Sequence, residues 1–191
     1  MKKIQTICVY CGSSIGNDPL YENAAQIIGK MMAEHDIGLV YGGGNKGIMG
    51  KIAQAVKAAN GKVTGIIPSF LIEKEAPDTQ NTQQKHALDE LIITQNMHER
   101  KTKMFERSDA FIALPGGIGT LEEIVEIMTW AQLGQHQKPM AFANIKQFWA
   151  PIISLLSHMS DEGFLHSRQN LTPLIIDNAE DVIPAILKAA K

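Results

Sequence analysis

Residues 115–123 read PGGIGTLEE, from Pro115 to Glu123. They follow a short apolar run at 110–114 and open a segment of helical periodicity. A strand, a glycine turn and a helix start in this order make an anion site. Glycines let backbone N–H groups approach a ligand, and the first helical turn adds unpaired donors and the positive end of the helix dipole. Glu122 and Glu123 follow within one turn, so a site for a phosphorylated ligand also carries carboxylates that can do chemistry.

Length and composition indicate an ordinary globular protein. The chain has 191 residues, which suits a single domain spanning 1–191 with a substantial core. Its net charge is −2 and its lysines and arginines are scattered, so nothing points to a nucleic-acid or membrane-surface partner. No apolar run reaches the ~18–20 residues that a bilayer span needs. The basic start at residues 1–6 leads into a strand-like run rather than a signal peptide, so we expect a cytoplasmic protein.

Short apolar runs alternate with segments of helical periodicity along the whole chain. The predicted strands are residues 4–10, 38–41, 62–67, 92–94, 110–114, 139–143 and 174–176. The predicted helices are residues 19–34, 46–59, 97–107, 120–133, 148–158 and 179–189. Strands joined through helices of this length imply right-handed crossovers. We therefore expect an α/β fold, a doubly wound parallel sheet with helices on both faces.

A second glycine turn reads GGGNKG at residues 42–47, between a predicted strand and a predicted helix. It satisfies the G-x-G-x-x-G pattern of dinucleotide-binding folds, but the next strand ends at Pro68 without the acidic residue that would hold a ribose. A P-loop is also excluded, because Asn45 stands at its first glycine position and Ile52 at its Ser/Thr position. What remains is a second glycine-lined strand end, or a tight turn without a ligand.

Three predicted strands end in turns of small residues, at 11–14, 42–44 and 115–117. Ligands of an open parallel sheet bind outside the carboxyl ends of its strands, so all three turns should meet at one crevice. The small residues of the first two turns that we expect in its wall are Gly12, Ser13, Gly43 and Gly44.

The two cysteines, Cys8 and Cys11, have the spacing C-x-x-C. This spacing can mark a redox pair or half of a zinc site, or simply two small residues at a strand end. A thioredoxin-type pair begins a helix, whereas these residues lie within or just after a strand, and no His pair has the spacing that would complete a zinc site. We interpret both cysteines as structural.

The polar stretch at residues 73–85 is the one shift in composition along the chain. Such a loop within a compact domain is either a flap near a site or a solvated excursion, and the sequence favours neither.

Arg100 and Lys101 lie in the predicted helix just before the glycine turn. The planar fork of an arginine suits phosphate or an acidic partner, although an exposed helical face is the usual place for such a pair.

Glu123 also has two interpretations. The T-x-x-E pattern from Thr120 to Glu123 can be a capping box, in which the glutamate only bonds back to the Thr120 N–H. Alternatively, a carboxylate beside an anion site is electrostatically costly and needs a functional reason.

Four motifs together resemble the Lonely Guy (LOG) family, cytokinin riboside 5′-monophosphate phosphoribohydrolases long mislabelled as lysine decarboxylases. They are CGSS at 11–14, GGGxxGIMG at 42–50, MHERK at 97–101 and PGGxGTxxE at 115–123, and the resemblance extends over about residues 4–139. It implies a Rossmann-like homodimer that hydrolyses the N-glycosidic bond of AMP or N6-modified AMP. The products are the free base and ribose 5-phosphate, and no metal or organic cofactor is required.

The resemblance also implies roles for individual residues. Arg100 and Glu123 would be the catalytic pair. The residues implied around the bound nucleotide and its phosphate are Met97, Lys101, Pro115, Gly116, Gly117, Gly119, Thr120 and Thr129. Glu75 matches a substrate-contacting glutamate of the family, although the segment between Glu75 and Arg100 is several residues longer than usual.

The chemistry suits these residues. Cleavage of a ribosyl C–N bond passes through an oxocarbenium-like state, which Glu123 can stabilise while it orients or deprotonates water. Arg100 can position the substrate, and the glycine turn can anchor its phosphate. The same crevice could instead carry a nucleotide-like or pterin cofactor without turnover, as related Rossmann-like carriers do. A lysine decarboxylase would need pyridoxal on a Schiff-base lysine, which nothing in the sequence marks.

Overall fold

The computed structural model describes residues 3–72, 88–165 and 173–190. In this part of the chain, seven strands form one sheet in the order β4-β3-β2-β1-β5-β6-β7, and every neighbouring pair is parallel. The chain starts at the centre of the sheet, builds outward to β4, and then crosses back to add β5, β6 and β7 on the other side. The predicted doubly wound α/β fold is confirmed.

The elements follow the predicted alternation. The strands are β1 (Thr6–Tyr10), β2 (Gly38–Tyr41), β3 (Val63–Pro68), β4 (Glu90–Thr94), β5 (Ala110–Ala113), β6 (Met140–Ala143) and β7 (Leu174–Ile176). The helices are α1 (Pro19–Glu34), α2 (Gly47–Ala58), α3 (Met97–Glu106), α4 (Ile118–Gln132), α5 (Ala150–Asp161) and α6 (Ala179–Ala189). Single 3₁₀ turns lie at Ser69–Leu71 and Ile145–Gln147.

Each face of the sheet is covered by its own set of helices. Because strand side chains alternate between faces, β1 sends Ile7 and Val9 to one core and Cys8 and Tyr10 to the other. Helices α1, α2 and α6 pack on the first face, and α3, α4 and α5 pack on the second. Both faces of the central strands are therefore buried, which explains why these strands are continuous apolar runs in the sequence.

The helix that carries Arg100 has a well-defined start. The Asn96 side chain caps α3 by accepting from the Glu99 N–H at 2.9 Å, and the Glu99 carboxylate accepts from the Gln95 N–H at 2.8 Å. These bonds fix the first turn of α3, so the side chain of the next residue, Arg100, projects from the helix in a defined direction.

The start of α4 differs from the prediction. The helix begins at Ile118 with Gly117 as its N-cap, two residues before the predicted start at Thr120. The capping-box interpretation of Glu123 is therefore wrong, because Thr120 lies inside the first turn rather than at the cap. The reason is the glycine turn: Gly116 leaves room for the Thr120 side chain, which a Cβ at position 116 would meet.

No described helix is long and apolar enough to cross a bilayer.

Candidate active site

A cavity of about 390 Å³ opens at the carboxyl end of the sheet. It lies where the turns after β1, β2 and β5 meet the starts of α3 and α4. The turn after β1 contributes Cys11, Gly12 and Ser13. Helix α4 and its cap contribute Gly117, Ile118, Gly119, Thr120, Glu122 and Glu123. Gly42, Met49, Met97 and Arg100 complete the wall together with Val9 and Tyr10 of β1.

Backbone hydrogen bonds join the turns to one another. The Gly12 N–H donates to the Pro115 carbonyl at 3.1 Å, and the Gly12 carbonyl accepts from the Met49 N–H at 3.2 Å. The Ile48 N–H donates to the Ser14 carbonyl at 3.3 Å. The first turn is thus bonded both to the proline-glycine turn and to the start of α2, so these backbones form one connected rim.

The start of α4 has the features of an anion site. The first helical N–H groups, from Ile118 to Thr120, have no acceptor within the helix, and the helix dipole is positive at this end. Among the described residues, no atom beyond the adjoining backbone lies within 4 Å of the position that a Cβ would take at Gly117 or Gly119. A ligand can therefore approach this backbone closely, as a phosphate at a helix N-terminus requires.

Arg100 is buried, with 6% of its surface exposed, and it is fixed by the sheet. Its Nε donates to the Ile66 carbonyl at 3.1 Å and its Nη2 to the Gly42 carbonyl at 3.3 Å. Nη1 lies 3.7 Å from the sulfur of Met97, one turn earlier on α3. A Cβ at Gly42 would collide with Nη2, so the first glycine of the second turn provides the space for this side chain.

Glu123 faces Arg100 across the cavity wall. Its Oε1 lies 3.7 Å from Nη2 of Arg100, and only 11% of its side chain is exposed. Burial raises the pKa of the Tyr10 phenol and of the Cys11 thiol, and the nearby Glu123 carboxylate adds to both effects. Both groups are therefore neutral in the cavity wall at ordinary pH.

The structure places Lys101 and Thr129 outside the wall of the cavity. Lys101 Nζ donates to Glu122 at 2.6 Å and to Glu126 at 3.0 Å, so it joins α3 to α4 beside the cavity. Thr129 is exposed on α4 and its hydroxyl donates to the Val125 carbonyl.

The other predicted residues occupy several positions. Gly12, Ser13 and Met97 line the cavity with Gly117, Gly119 and Thr120. Pro115 and Gly116 line a smaller cavity of about 220 Å³ on the other side of the glycine turn. Gly43, at a φ of 77°, packs against Ile67 of β3, and both Gly43 and Gly44 are buried beside the cavity rather than in its wall. Glu75 and the stretch 73–85 lie outside the described residues.

Sequence reasoning did not name Val9, Tyr10, Cys11, Gly42, Met49 or Ile118 as parts of the wall. For Gly42 and Cys11 a signal existed, because each is the first residue after a strand that ends at the crevice. Cys8 and Cys11 are both free and lie in cores on opposite faces of the sheet, a geometry that cannot join them in one disulfide or metal site.

Comparison with known proteins identifies the family. A family model described as "Possible lysine decarboxylase" matches residues 49–186. The probable cytokinin riboside 5′-monophosphate phosphoribohydrolase LOG4 of Oryza sativa subsp. japonica is 40% identical over 98% of this chain and 78% of its own. The chain belongs to the LOG family. A second LOG relative, the phosphoribohydrolase LOG2 of Arabidopsis thaliana, is 40% identical over 95% of this chain and 82% of its own.

Solved structures with a similar fold include two molybdenum-cofactor proteins. The molybdenum cofactor binding protein of Rippkaea orientalis superposes with a TM-score of 0.72 at 25% identity, over the whole of both chains. The molybdenum cofactor carrier protein of Chlamydomonas reinhardtii gives a TM-score of 0.67 at 20% identity, over 99% of this chain and 100% of its own. The fold of this LOG family chain is thus shared with proteins that bind or carry the molybdenum cofactor.

Proposed function

We propose that this LOG family member hydrolyses the N-glycosidic bond of AMP or of an N6-modified, cytokinin-type riboside 5′-monophosphate. The products are the free base and ribose 5-phosphate. The observation that carries the proposal is the pair Arg100 and Glu123, which face each other at 3.7 Å beside the glycine-lined start of α4. The names of relatives at 40% identity over nearly the whole chain support the same activity.

The phosphate of the substrate would bind at the start of α4. The N–H groups near Gly117, Gly119 and Thr120 offer donors, and the helix dipole favours a negative charge there. Because the phosphate does not react, its binding energy serves to place the ribose against the catalytic groups. Ser13 lies in the same wall and adds a hydroxyl that can reach the ligand.

The reacting bond would then lie near Glu123. As the C1′–N bond breaks, positive charge develops on the ribose, and a buried carboxylate stabilises that charge. The same carboxylate can take a proton from the water whose oxygen forms the new bond to C1′. Arg100, held by two backbone carbonyls, is a rigid donor that can position the substrate and hydrogen-bond to the departing base.

The carrier alternative receives less support from the site. Its structural relatives are 25% identical or less, whereas the phosphoribohydrolases are 40% identical. A carrier also needs no buried guanidinium with a largely covered carboxylate facing it, since it performs no bond cleavage. The decarboxylase description of the family model is disfavoured, because no lysine lies among the described residues of the cavity wall to form a Schiff base.

Base release from AMP and from N6-isopentenyl-AMP, followed by chromatography, tests the proposal. We expect the wild type to release base and Glu123→Ala to release none above background, while both bind AMP. The ratio of the two wild-type rates gives the preference for the N6 substituent. Unaltered base release by Glu123→Ala would refute the assigned role of this residue. A wild type that binds AMP without turnover, or co-purifies with a tightly held ligand, would support the carrier.

We also propose that the chain acts as a homodimer through α4. Ile118, Val125 and Leu133 are 83%, 41% and 68% exposed, and their spacing of seven and eight residues puts them along one side of the helix. A second copy of the chain would bury these side chains. Light scattering after gel filtration tests this, and Val125→Lys should shift the mass from that of a dimer toward that of a monomer.

We further propose a cytoplasmic location, which suits the two free thiols.

A further inference from the structure

Three ion pairs lie between α3 and α4, in two groups. The inner pair, Arg100 with Glu123, belongs to the cavity wall. The outer group joins Lys101 to Glu122 at 2.6 Å and to Glu126 at 3.0 Å. Because consecutive residues of a helix point about 100° apart, Lys101 is directed away from the side that Arg100 presents to the cavity.

Glu122 differs from Glu126 in one respect that matters for a phosphate. Glu122 is part of the cavity wall, next to the N–H groups at the start of α4, whereas Glu126 lies one turn further along and outside that wall. An uncompensated carboxylate at the first of these positions would repel an anion that binds at the helix start. The same charge at the position of Glu126 would act over a longer distance.

Lys101 pairs with the negative charge of Glu122. Its side chain is 16% exposed and does not line the cavity. Burial disfavours its charge, but the hydrogen bonds to Glu122 and Glu126 outweigh burial and raise the pKa of Lys101. The ammonium group is therefore held protonated between two carboxylates, a position that does not leave it pointing at a ligand.

We propose that Lys101 supports nucleotide binding indirectly, by neutralising Glu122 at the cavity wall, and that it does not itself bind the phosphate. Lys101 is then a positioning residue that acts through Glu122. This inference rests on the proposed function, because it takes the phosphate of a nucleotide to bind at the start of α4.

The test compares five variants with the wild type: Lys101→Met, Lys101→Arg, Glu122→Gln, Lys101→Met/Glu122→Gln and Lys101→Met/Glu126→Gln. The readouts are KM and kcat for base release from AMP, and the Kd of AMP by calorimetry with Glu123→Gln added to each protein so that AMP is not turned over during the titration. Lys101→Met should raise KM and Kd about tenfold with kcat within about twofold, because a single unbalanced charge acts on binding rather than on chemistry. Lys101→Arg keeps the charge and should retain the wild-type Kd.

The two double variants separate the possible roles of Lys101. Adding Glu122→Gln to Lys101→Met should restore the Kd to within about threefold of the wild type, since the repelling carboxylate is gone. Adding Glu126→Gln removes the other partner of Lys101, which is 3.0 Å away and lies outside the wall, and should restore much less. If Lys101 binds phosphate directly, Lys101→Met weakens AMP binding as much in the Glu122→Gln background as in the wild-type background, and the inference is refuted. Equal rescue by both double variants would also refute it.

Three further outcomes have clear meanings. Should Lys101→Met fail to fold, Lys101→Gln, which keeps a hydrogen-bond donor for the two carboxylates, replaces it in the same comparison. A wild type that binds AMP without releasing base would refute the hydrolase proposal, while the pattern of Kd values would still decide the role of Lys101. A wild type that does not bind AMP would overturn both.

Discussion

The guanidinium of Arg100 and the carboxylate of Glu123 lie 3.7 Å apart, which is longer than a hydrogen bond between such groups. The separation arises because Arg100 already donates to the carbonyls of Ile66 and Gly42. The arginine is thus held by the sheet, and the glutamate approaches it from a different element, α4. A ligand atom can bind between the start of α4 and this pair without first breaking a tight ion pair.

Replacing Glu123 with glutamine tests the carboxylate itself. Glutamine keeps the size of the side chain but can neither accept a proton nor stabilise positive charge on the ribose. We expect kcat to fall by about 10²–10⁴-fold. The Kd of AMP should stay the same or decrease, because a negative charge near the phosphate is removed. Steady-state kinetics and calorimetry check both values, and a loss of binding that accounts for the whole loss of activity would contradict the assigned role.

Replacing Arg100 with lysine tests the planar fork. Lysine keeps the charge but cannot donate to the Ile66 and Gly42 carbonyls in the same geometry, so the charge is no longer fixed. We expect kcat/KM to fall by about 100-fold or more. Arg107→Lys is the matched control, because Arg107 is half exposed at the end of α3 and pairs with Glu90 away from the cavity. That variant should retain wild-type kinetics, and equal losses in both variants would argue against a specific role for Arg100.

Gly42→Ala should impair the enzyme through Arg100. The new Cβ would collide with Nη2 of Arg100, so the guanidinium must leave the Gly42 carbonyl. We expect kcat to fall at least tenfold. Gly38→Ala, at the other end of β2, is the control, because the nearest atom to its Cβ is Cγ2 of Thr6 at an ordinary 3.4 Å. The kinetic constants and Tm values of both variants are measured side by side. A fully active Gly42→Ala variant would contradict this account.

Much of this fold could be predicted from the sequence because its determinants are local. Helix α1 and strands β2 and β7 lie at the predicted bounds, since turn residues and the Asp18-Pro19 start mark their ends. The start of α4 could not be predicted in the same way. The T-x-x-E pattern is a valid local signal for a cap at Thr120, but the glycine turn before it is held by a tertiary contact, the bond from the Gly12 N–H to the Pro115 carbonyl and the close approach of Gly116 to the Gly12 backbone.

The site was predictable to a similar extent. Arg100 and Glu123 stand out by their motifs, and the structure brings them together. That Lys101 faces Glu122 and Glu126 depends on the angle between α3 and α4, which no spacing in the sequence encodes. The same holds for Gly42, which leaves space for the side chain of Arg100, fifty-eight positions later in the sequence.

Gly116 and Gly117 are adjacent, but alanine should affect them in different ways. A Cβ at Gly116 would meet the Thr120 side chain and would lie 2.8 Å from the Gly12 nitrogen, so Gly116→Ala should destabilise the fold by about 1–3 kcal/mol. In the part of the chain that the structure describes, a Cβ at Gly117 would meet no atom within 4 Å beyond its backbone neighbours, so Gly117→Ala should fold with a Tm within a few degrees of the wild type. It should instead weaken AMP binding, because its methyl group occupies space at the proposed phosphate site. Thermal unfolding and calorimetry on both variants separate these effects, and a reversed pattern would contradict the site.

His136 should make the stability of the protein depend on pH. Its ring is buried, with Nε2 at 2.9 Å from the Ile127 carbonyl and Nδ1 accepting from the Lys138 N–H at 3.1 Å, so the neutral ring satisfies both partners. Burial lowers the pKa of His136, the bond to Ile127 opposes this, and the charge of Lys138 adds to the lowering.

The sign of the pH effect follows from this lowered pKa. Below about pH 6.5, the ordinary pKa of a histidine, His136 binds a proton in the unfolded chain. In the folded chain, where its pKa is lowered, His136 stays neutral to a lower pH. The free energy of unfolding should therefore be level above about pH 7 and fall between pH 6.5 and 5.5, a range in which exposed carboxylates stay ionised. Urea unfolding at a series of pH values measures this. His136→Gln keeps a hydrogen-bond donor for the Ile127 carbonyl but does not titrate. The fall in its free energy of unfolding between pH 6.5 and 5.5 should therefore be smaller than in the wild type, even if this variant is less stable at every pH. An identical slope in both proteins would show that His136 is not the group responsible.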